Sequence, residues 1–157
     1  MADVVDSTGW VPGFGSQLAG GNFIGATVSV NNDCKLISIT KISIVTCDGF
    51  KVYKNSDKSL LATSAMEGDV ATFSLDLSAG EEYCLVFYSE SVCREYHDNS
   101  PGYPVNGTNI NFISWAKRTP EEDWDTSGTT RAYNILSVTT EEIAGVTDNA
   151  IFMGCNI

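Results

Sequence analysis

KLISITKISIVT, residues 35–46, is the stretch that decides the fold. Apolar and polar residues alternate along it with the two-residue period of a half-buried strand, whereas a helix would repeat its apolar face every three to four residues. Leu36, Ser38, Thr40, Ile42, Ile44 and Thr46 fall on one side, and Ile37, Ile39, Lys41, Ser43 and Val45 on the other. The large aliphatic residues change sides midway. That predicts a bent or bulged strand crossing from one sheet to another.

The pattern continues outward in both directions. Upstream, FIGATVSV at 23–30 alternates in the same way and ends on the turn residues NND at 31–33. Downstream, CDGF at 47–50 places Asp48-Gly49 at a hairpin turn, KVY follows at 51–53, and NSDK at 55–58 turns the chain again. LLATSA at 60–65, DVATFSLDL at 69–77, EEYCLVFYSE at 81–90, VCREY at 92–96, NINFISWAK at 109–117 and RAYNILSVTT at 131–140 read as further strands. Roughly eight to ten short strands with regularly spaced turn signals predict an all-β fold, an antiparallel β-sandwich of jelly-roll-like form. The one weak helix signal is TPEEDW at 119–124, where Thr119 and Pro120 resemble a cap. Residues 1–22 carry Gly9, Gly13, Gly15, Gly20, Gly21 and Pro12 and read as a glycine-rich irregular N-terminal arm, pinned by Trp10 and Phe14. The expected division is therefore an arm at 1–22 and a single sandwich domain at 23–157.

Composition narrows the function classes. With 157 residues, the chain suits one domain with a sizeable core, which at this size buries roughly 68–70% of the surface that the unfolded chain exposes. Charged residues make up 18%, below the usual quarter, which argues against both disorder and a charge-laced helical bundle. Nine Lys and Arg face twenty Asp and Glu, a formal net charge of −11. A surface of that sign repels phosphate backbones and anionic lipid, and no basic stripe offsets it, so no nucleic-acid partner is expected. No apolar run approaches the about 18 residues a membrane-spanning helix needs, so no membrane insertion is expected either. The start MADVVDSTGW has neither the basic nor the apolar region of a secretory signal, which predicts a chain made and folded in the cytosol.

The five cysteines, Cys34, Cys47, Cys84, Cys93 and Cys155, show no C-x-x-C spacing and leave an odd thiol. Most sit in apolar or β-branched stretches, as buried free cysteines do. A Cys47–Cys84 or Cys84–Cys93 bridge is the alternative, because sandwich strands bring such positions within reach.

From Lys35 to Leu85 the sequence resembles a module of bacteriophage tail-fibre and other virion surface proteins. In those modules an LTSVTK-like strand is followed by KVYVY-like, LLATA-like, G-x-x-ATF-x-x-x-L and AG-x-x-YYI strands. This chain reads LISITK at 36–41, FKVYK at 50–54, SLLATSA at 59–65, GDVATFSLDL at 68–77 and AGEEYCLVF at 79–87, in the same order and spacing. Much of that string records packing: Ala71 and Phe73 inward, Leu75 and Leu77 at a strand end, Gly80 in the turn and Tyr83 on the returning strand. Similar strings occur in secreted bacterial carbohydrate-binding sandwiches. The resemblance implies a non-catalytic structural protein of the particle surface, a fibre, spike or capsid decoration, assembled in the host cytoplasm. The partners it implies are other virion or capsid proteins, further copies of the chain, and a host surface glycan. A carbohydrate-binding module at a cell surface, extracellular, is the alternative.

His97, the only histidine, lies in CREYHDN with Cys93, Glu95 and Asp98 nearby, but the familiar ligand spacings of a structural zinc site are absent. No nucleophile elbow or comparable serine or cysteine context accompanies it, so an enzyme is not expected. Glu121, Glu122, Asp123 and Asp125 cluster in one loop around Trp124, which reads first as a solvated acidic loop. Its functional reading is a hard-cation site of the Ca2+ kind, since oxygen ligands from one loop suit that ion, and no other cofactor is expected. Trp124, Tyr103 and Tyr96 are the candidate ligand-binding rings, placed among Asn, Asp and Thr in the long segment between residues 93 and 133. Trp115 and Tyr133 read as core-filling rings on strands.

Overall fold

The computed structural model describes residues 2–6, 12–18, 20–43, 45–91, 93–98, 103–118, 123–128 and 135–144, with the backbone alone for 2–6, 12–18 and 93–98. Twelve strands are present among them: β1 (Ala2–Asp6), β2 (Pro12–Leu18), β3 (Phe23–Val30), β4 (Cys34–Lys41), β5 (Gly49–Lys54), β6 (Leu60–Ala65), β7 (Val70–Leu77), β8 (Glu82–Tyr88), β9 (Cys93–Asp98), β10 (Val105–Asn106), β11 (Ile110–Arg118) and β12 (Ile135–Glu142). They form a four-stranded sheet, β1-β12-β4-β7, a six-stranded sheet, β10-β11-β3-β8-β5-β6, and a two-stranded ribbon, β2-β9. All pairings are antiparallel. The two larger sheets pack face to face as a β-sandwich.

The core lies between them. Ile24, Ala26 and Val28 of β3, Phe50 and Val52 of β5, and Leu85 and Phe87 of β8 point inward from the six-stranded sheet. Leu36 and Ile39 of β4, Ala71, Phe73 and Leu77 of β7, and Val138 of β12 meet them from the other sheet. Each buried Phe or Leu stabilises the fold by roughly 1.5–3 kcal/mol relative to its exposed state, which is why the alternating pattern dictates register. In the ATF string, Ala71 and Phe73 are indeed buried, and Gly80 turns the chain at a φ of +82°.

The decisive stretch is bulged, as its change of sides predicts, but it does not cross between the sheets as a strand. Pairing of β4 with both neighbours slips around Ile37, so that Leu36 and Ile39 both face the core across a bulge. The strand ends at Lys41. Ile42 and Val45 stay buried in the connection to β5, which belongs to the opposite sheet. Asp48-Gly49 therefore stands in a crossover between sheets and not in a hairpin. Lys41 itself is buried, and its Nζ lies 2.7 Å from Asp69 Oδ1, which supplies the partner a buried ammonium requires.

Two further readings change. The segment at 1–22, read as an irregular arm, contains β1 on the edge of the four-stranded sheet and β2 in the ribbon. Its strands are held by backbone pairing with β12 and β9; β2 contains two glycines and β1 is only five residues long, so neither announces itself by a long alternation. The ribbon also continues a larger element. Leu18↔Cys93 and Gly15↔Tyr96 keep the register of Phe23↔Tyr88, and Gly21 N donates to Ser89 O at 2.8 Å between the two ladders. The strands β2–β3 and β8–β9 thus form one long antiparallel hairpin-like ribbon whose outer part extends beyond the six-stranded sheet. In the TPEEDW segment, Asp123 and Trp124 are not helical, and 119–122 lie outside the described residues. Cys84, common to both bridges considered above, carries no disulfide, so neither forms.

Candidate functional site

The outer face of the six-stranded sheet carries a patch that the register assembles. Arg118 of β11 pairs with Phe23 of β3, which pairs with Tyr88 of β8. Directly opposed residues point to the same face, so the three side chains share one level. The next level holds Ala116, Gly25, Val86 and Lys51, and the one after it Ser114, Thr27, Cys84 and Tyr53. Cys84, Val86 and Ala116 are fully buried, and together with Tyr53 they form a second, smaller core on which Phe23 and Trp124 rest half-buried.

Trp124 arrives from a loop whose backbone is fixed. Lys117 and Asp125 exchange both hydrogen bonds, at 2.9 and 2.8 Å, and Trp115 N donates to Gly128 O at 3.0 Å. Residues 123–128 thereby run along the edge of β11. Asp125 closes the loop on itself, its Oδ1 accepting from Ser127 N at 3.0 Å and Ser127 Oγ at 2.8 Å. These Ser127 bonds hold the Asp125 carboxyl below its ordinary range, with smaller help from the Trp115 side chain and the Lys117 charge. The buried Trp115 indole N–H is near that carboxylate but outside hydrogen-bonding geometry.

The rings make one cluster. Trp124 stacks on Phe23 with centroids 6.2 Å apart and meets Tyr53 edge-on at 4.9 Å, while Phe23 and Tyr53 are 6.0 Å apart. Offset and edge-on arrangements at these separations are favoured by the ring quadrupoles. Two cations cap the cluster. Lys51 Nζ lies 5.0 Å from the Phe23 centroid and 4.7 Å from that of Tyr88. The Arg118 guanidinium lies 5.9 Å from Phe23 and 6.0 Å from Trp124. Burial pushes the Tyr53 hydroxyl up in pKa, and the Arg118 charge offsets part of that.

Among the candidate rings whose side chains are described, Trp124 belongs to this patch and Tyr103 does not. Tyr103 packs half-buried against the main core between the sheets, with its hydroxyl buried. Tyr96 lies in β9, paired with Gly15 in the ribbon, and its side chain, like those of Cys93, Glu95 and His97, is outside the described residues. Tyr133 is outside them as well. In the acidic loop, Glu121 and Glu122 lie outside the described residues, Asp123 is exposed, and Asp125 is engaged with Ser127. Among the described residues no three Cys, His, Asp or Glu side chains converge as metal ligands would. Cys84 is a packing residue: its Sγ is 3.4 Å from Asn55 Oδ1, and burial pushes its thiol pKa up, away from the reactive thiolate. Phe23, Tyr53, Tyr88, Lys51 and Arg118 were not singled out by sequence, because they come from four strands and only the pairing brings them together.

Comparison with known protein families, with characterised proteins and with solved structures finds no match for this chain.

Proposed function

We propose that this chain is a non-catalytic structural protein of a virion surface, a fibre, spike or capsid decoration, that works by contact. The observation that carries the reading is the ring-and-cation patch formed by Phe23, Tyr88, Trp124, Lys51 and Arg118 over the buried Tyr53 on the outer face of the six-stranded sheet. Aromatic and arginine side chains together are the usual anchors of a recognition surface. The tail-fibre-like strings from Lys35 to Leu85 supply the virion part of the reading, and they fall in order on β4, β5, β6, β7 and β8. Other capsid or tail proteins are the first partners, further copies of the chain the second, and a host surface glycan the third. The half-buried Trp124, held on a fixed loop, favours a second reading, an extracellular carbohydrate-binding module, since such rings grip sugars.

Mass spectrometry of virus particles banded on a density gradient, from the cells that produce this chain, tests the first reading. It expects the chain in stoichiometric amounts in the particle band. Its confinement to particle-free fractions would exclude a virion role.

A further inference from the structure

We propose that Lys51 and Arg118 form an anion-binding pair over the Phe23 ring that takes the carboxylate or sulfate groups of an acidic saccharide. This rests on the reading of the outer sheet face as the contact surface. The argument starts from charge. Twenty carboxylates compete for nine cations in this chain, and Lys35, Lys41 and Lys54 each have one, on Asp76, Asp69 and Glu81. Lys51 and Arg118 instead lie over rings, and no described carboxylate pairs with either. Both converge on the same ring, reaching it from strands β5 and β11 on opposite sides of β3. One cation over a ring is a common packing device. Two like charges brought to one ring repel each other, and a negative group seated between them removes that repulsion. The guanidinium offers a planar fork matched to a carboxylate or sulfate.

The surroundings select a saccharide over an acidic polypeptide. The patch lies on the face of β3 and β8, and both strands are already paired on both sides. An extended peptide therefore finds no strand edge here to hydrogen-bond, which is how sheets usually capture peptides. A ligand must bind through side chains alone. Trp124 and Tyr88, both half-buried, flank the two cations, and rings of this kind are what sugar rings rest on. An acidic peptide, moreover, brings a run of negative charge towards a chain of net charge −11. A saccharide with one charge per sugar meets less repulsion for the same contact.

The test is titration of the full chain, followed by tryptophan fluorescence and calorimetry, with oligogalacturonate, a neutral maltooligosaccharide of equal length and a polyglutamate peptide. Saturable binding of oligogalacturonate alone is expected, weakened at least tenfold in about 0.5 M salt, where the charges are screened. Lys51→Gln with Arg118→Gln should weaken it at least tenfold as well, while Lys35→Gln, on the opposite sheet, leaves it unchanged. Equal binding of the neutral sugar, equal or tighter binding of polyglutamate, no binding of oligogalacturonate, or an unaffected double variant would each overturn the proposal. The comparison among the three probes on the native chain needs no variant to fold. Particles that contain the chain while it ignores oligogalacturonate defeat this inference and leave the virion reading standing. Acidic-sugar binding by a chain absent from particles does the reverse.

Discussion

At the scale of single residues, Trp124 shows what a sequence can and cannot disclose. A tryptophan amid Glu and Asp in a polar loop is legible as a candidate ring, because nothing in its neighbourhood offers it a core. Its partners are not legible. Phe23 and Tyr53 lie far away along the chain, and they reach Trp124 only through the ladders of β3, β8 and β5 and through the Lys117–Asp125 bridge. Asp125 carries a second, local reading. As one of four clustered acids it suggests a cation ligand, and its Oδ1 also accepts from Ser127 N and Oγ, a role that local turn chemistry explains. The half-buried position of Trp124 fixes a magnitude. A fully buried Trp or Phe replaced by Ala costs about 3–5 kcal/mol, and a favourable aromatic pair adds roughly 0.5–1.5 kcal/mol. Trp124→Ala should therefore lose about 1–2 kcal/mol in urea unfolding, with the β-sheet circular dichroism unchanged. A loss beyond about 3 kcal/mol would make the ring part of the core and remove it from any contact surface.

At the scale of elements, most strands from Phe23 onward were legible because β-branched and apolar residues run through them and a turn signal closes each. The change of sides in KLISITKISIVT foretold the bulge at Ile37, a case where the pattern's irregularity was the information. Strands β1 and β2 were hidden for a physical reason. They are glycine-containing or short, their hydrogen bonds go to distant partners, and a strand made by backbone pairing leaves little mark on side-chain order. Gly25 is the counterpart inside a well-marked strand. A Cβ built on it would lie 1.8 Å from Leu85 O and 2.8 Å from Val86 Cα, both backbone atoms of the adjacent strand. Neither atom can swing aside as a side-chain tip can. Gly25→Ala must push β8 away from β3 in the middle of the six-stranded sheet, and because the clashing atoms are backbone the cost should fall at the upper end of the roughly 1–3 kcal/mol that overpacking brings. Gly68→Ala is the matched control: its φ is +63° but no atom lies within 4 Å, so it should cost only about 1 kcal/mol. Chemical denaturation of the two variants gives the comparison. Equal losses would mean that β3 and β8 are not in such close approach.

At the scale of the whole molecule, the open question is what becomes of the sheet edges. The six-stranded sheet ends on β10, two residues long, and on β6; the stretch of β11 beyond β10 is covered by residues 123–128. Edges left in water usually carry charge, proline or a bulge that discourages pairing with another chain. LLATSA of β6 has neither charge nor proline; its one bulge, at Leu61, leaves Ala62–Ala65 regular, and Leu60 and Leu61 are 51% and 41% exposed. Such a strand pairs readily with a second copy of itself, which is the most direct route to the homo-oligomer that a surface fibre or decoration protein needs. The opposing effect is charge, since each copy carries −11. Screening shortens that repulsion to about 8 Å at physiological ionic strength, so association should strengthen as salt is raised, the opposite of the dependence expected for acidic-sugar binding. Light scattering should therefore give a multiple of 16.9 kDa at physiological salt and above. Leu61→Lys with Thr63→Lys, which restores charge to the edge without touching the core, should return the mass to that of one chain. Free-thiol counting on the same sample adds an independent check, because Cys34, Cys47 and Cys84 are unbridged and at least these three must titrate after denaturation. A native mass of 16.9 kDa that does not respond to salt would leave β6 a tolerated bare edge, and the contact surface would then rest on the outer sheet face alone.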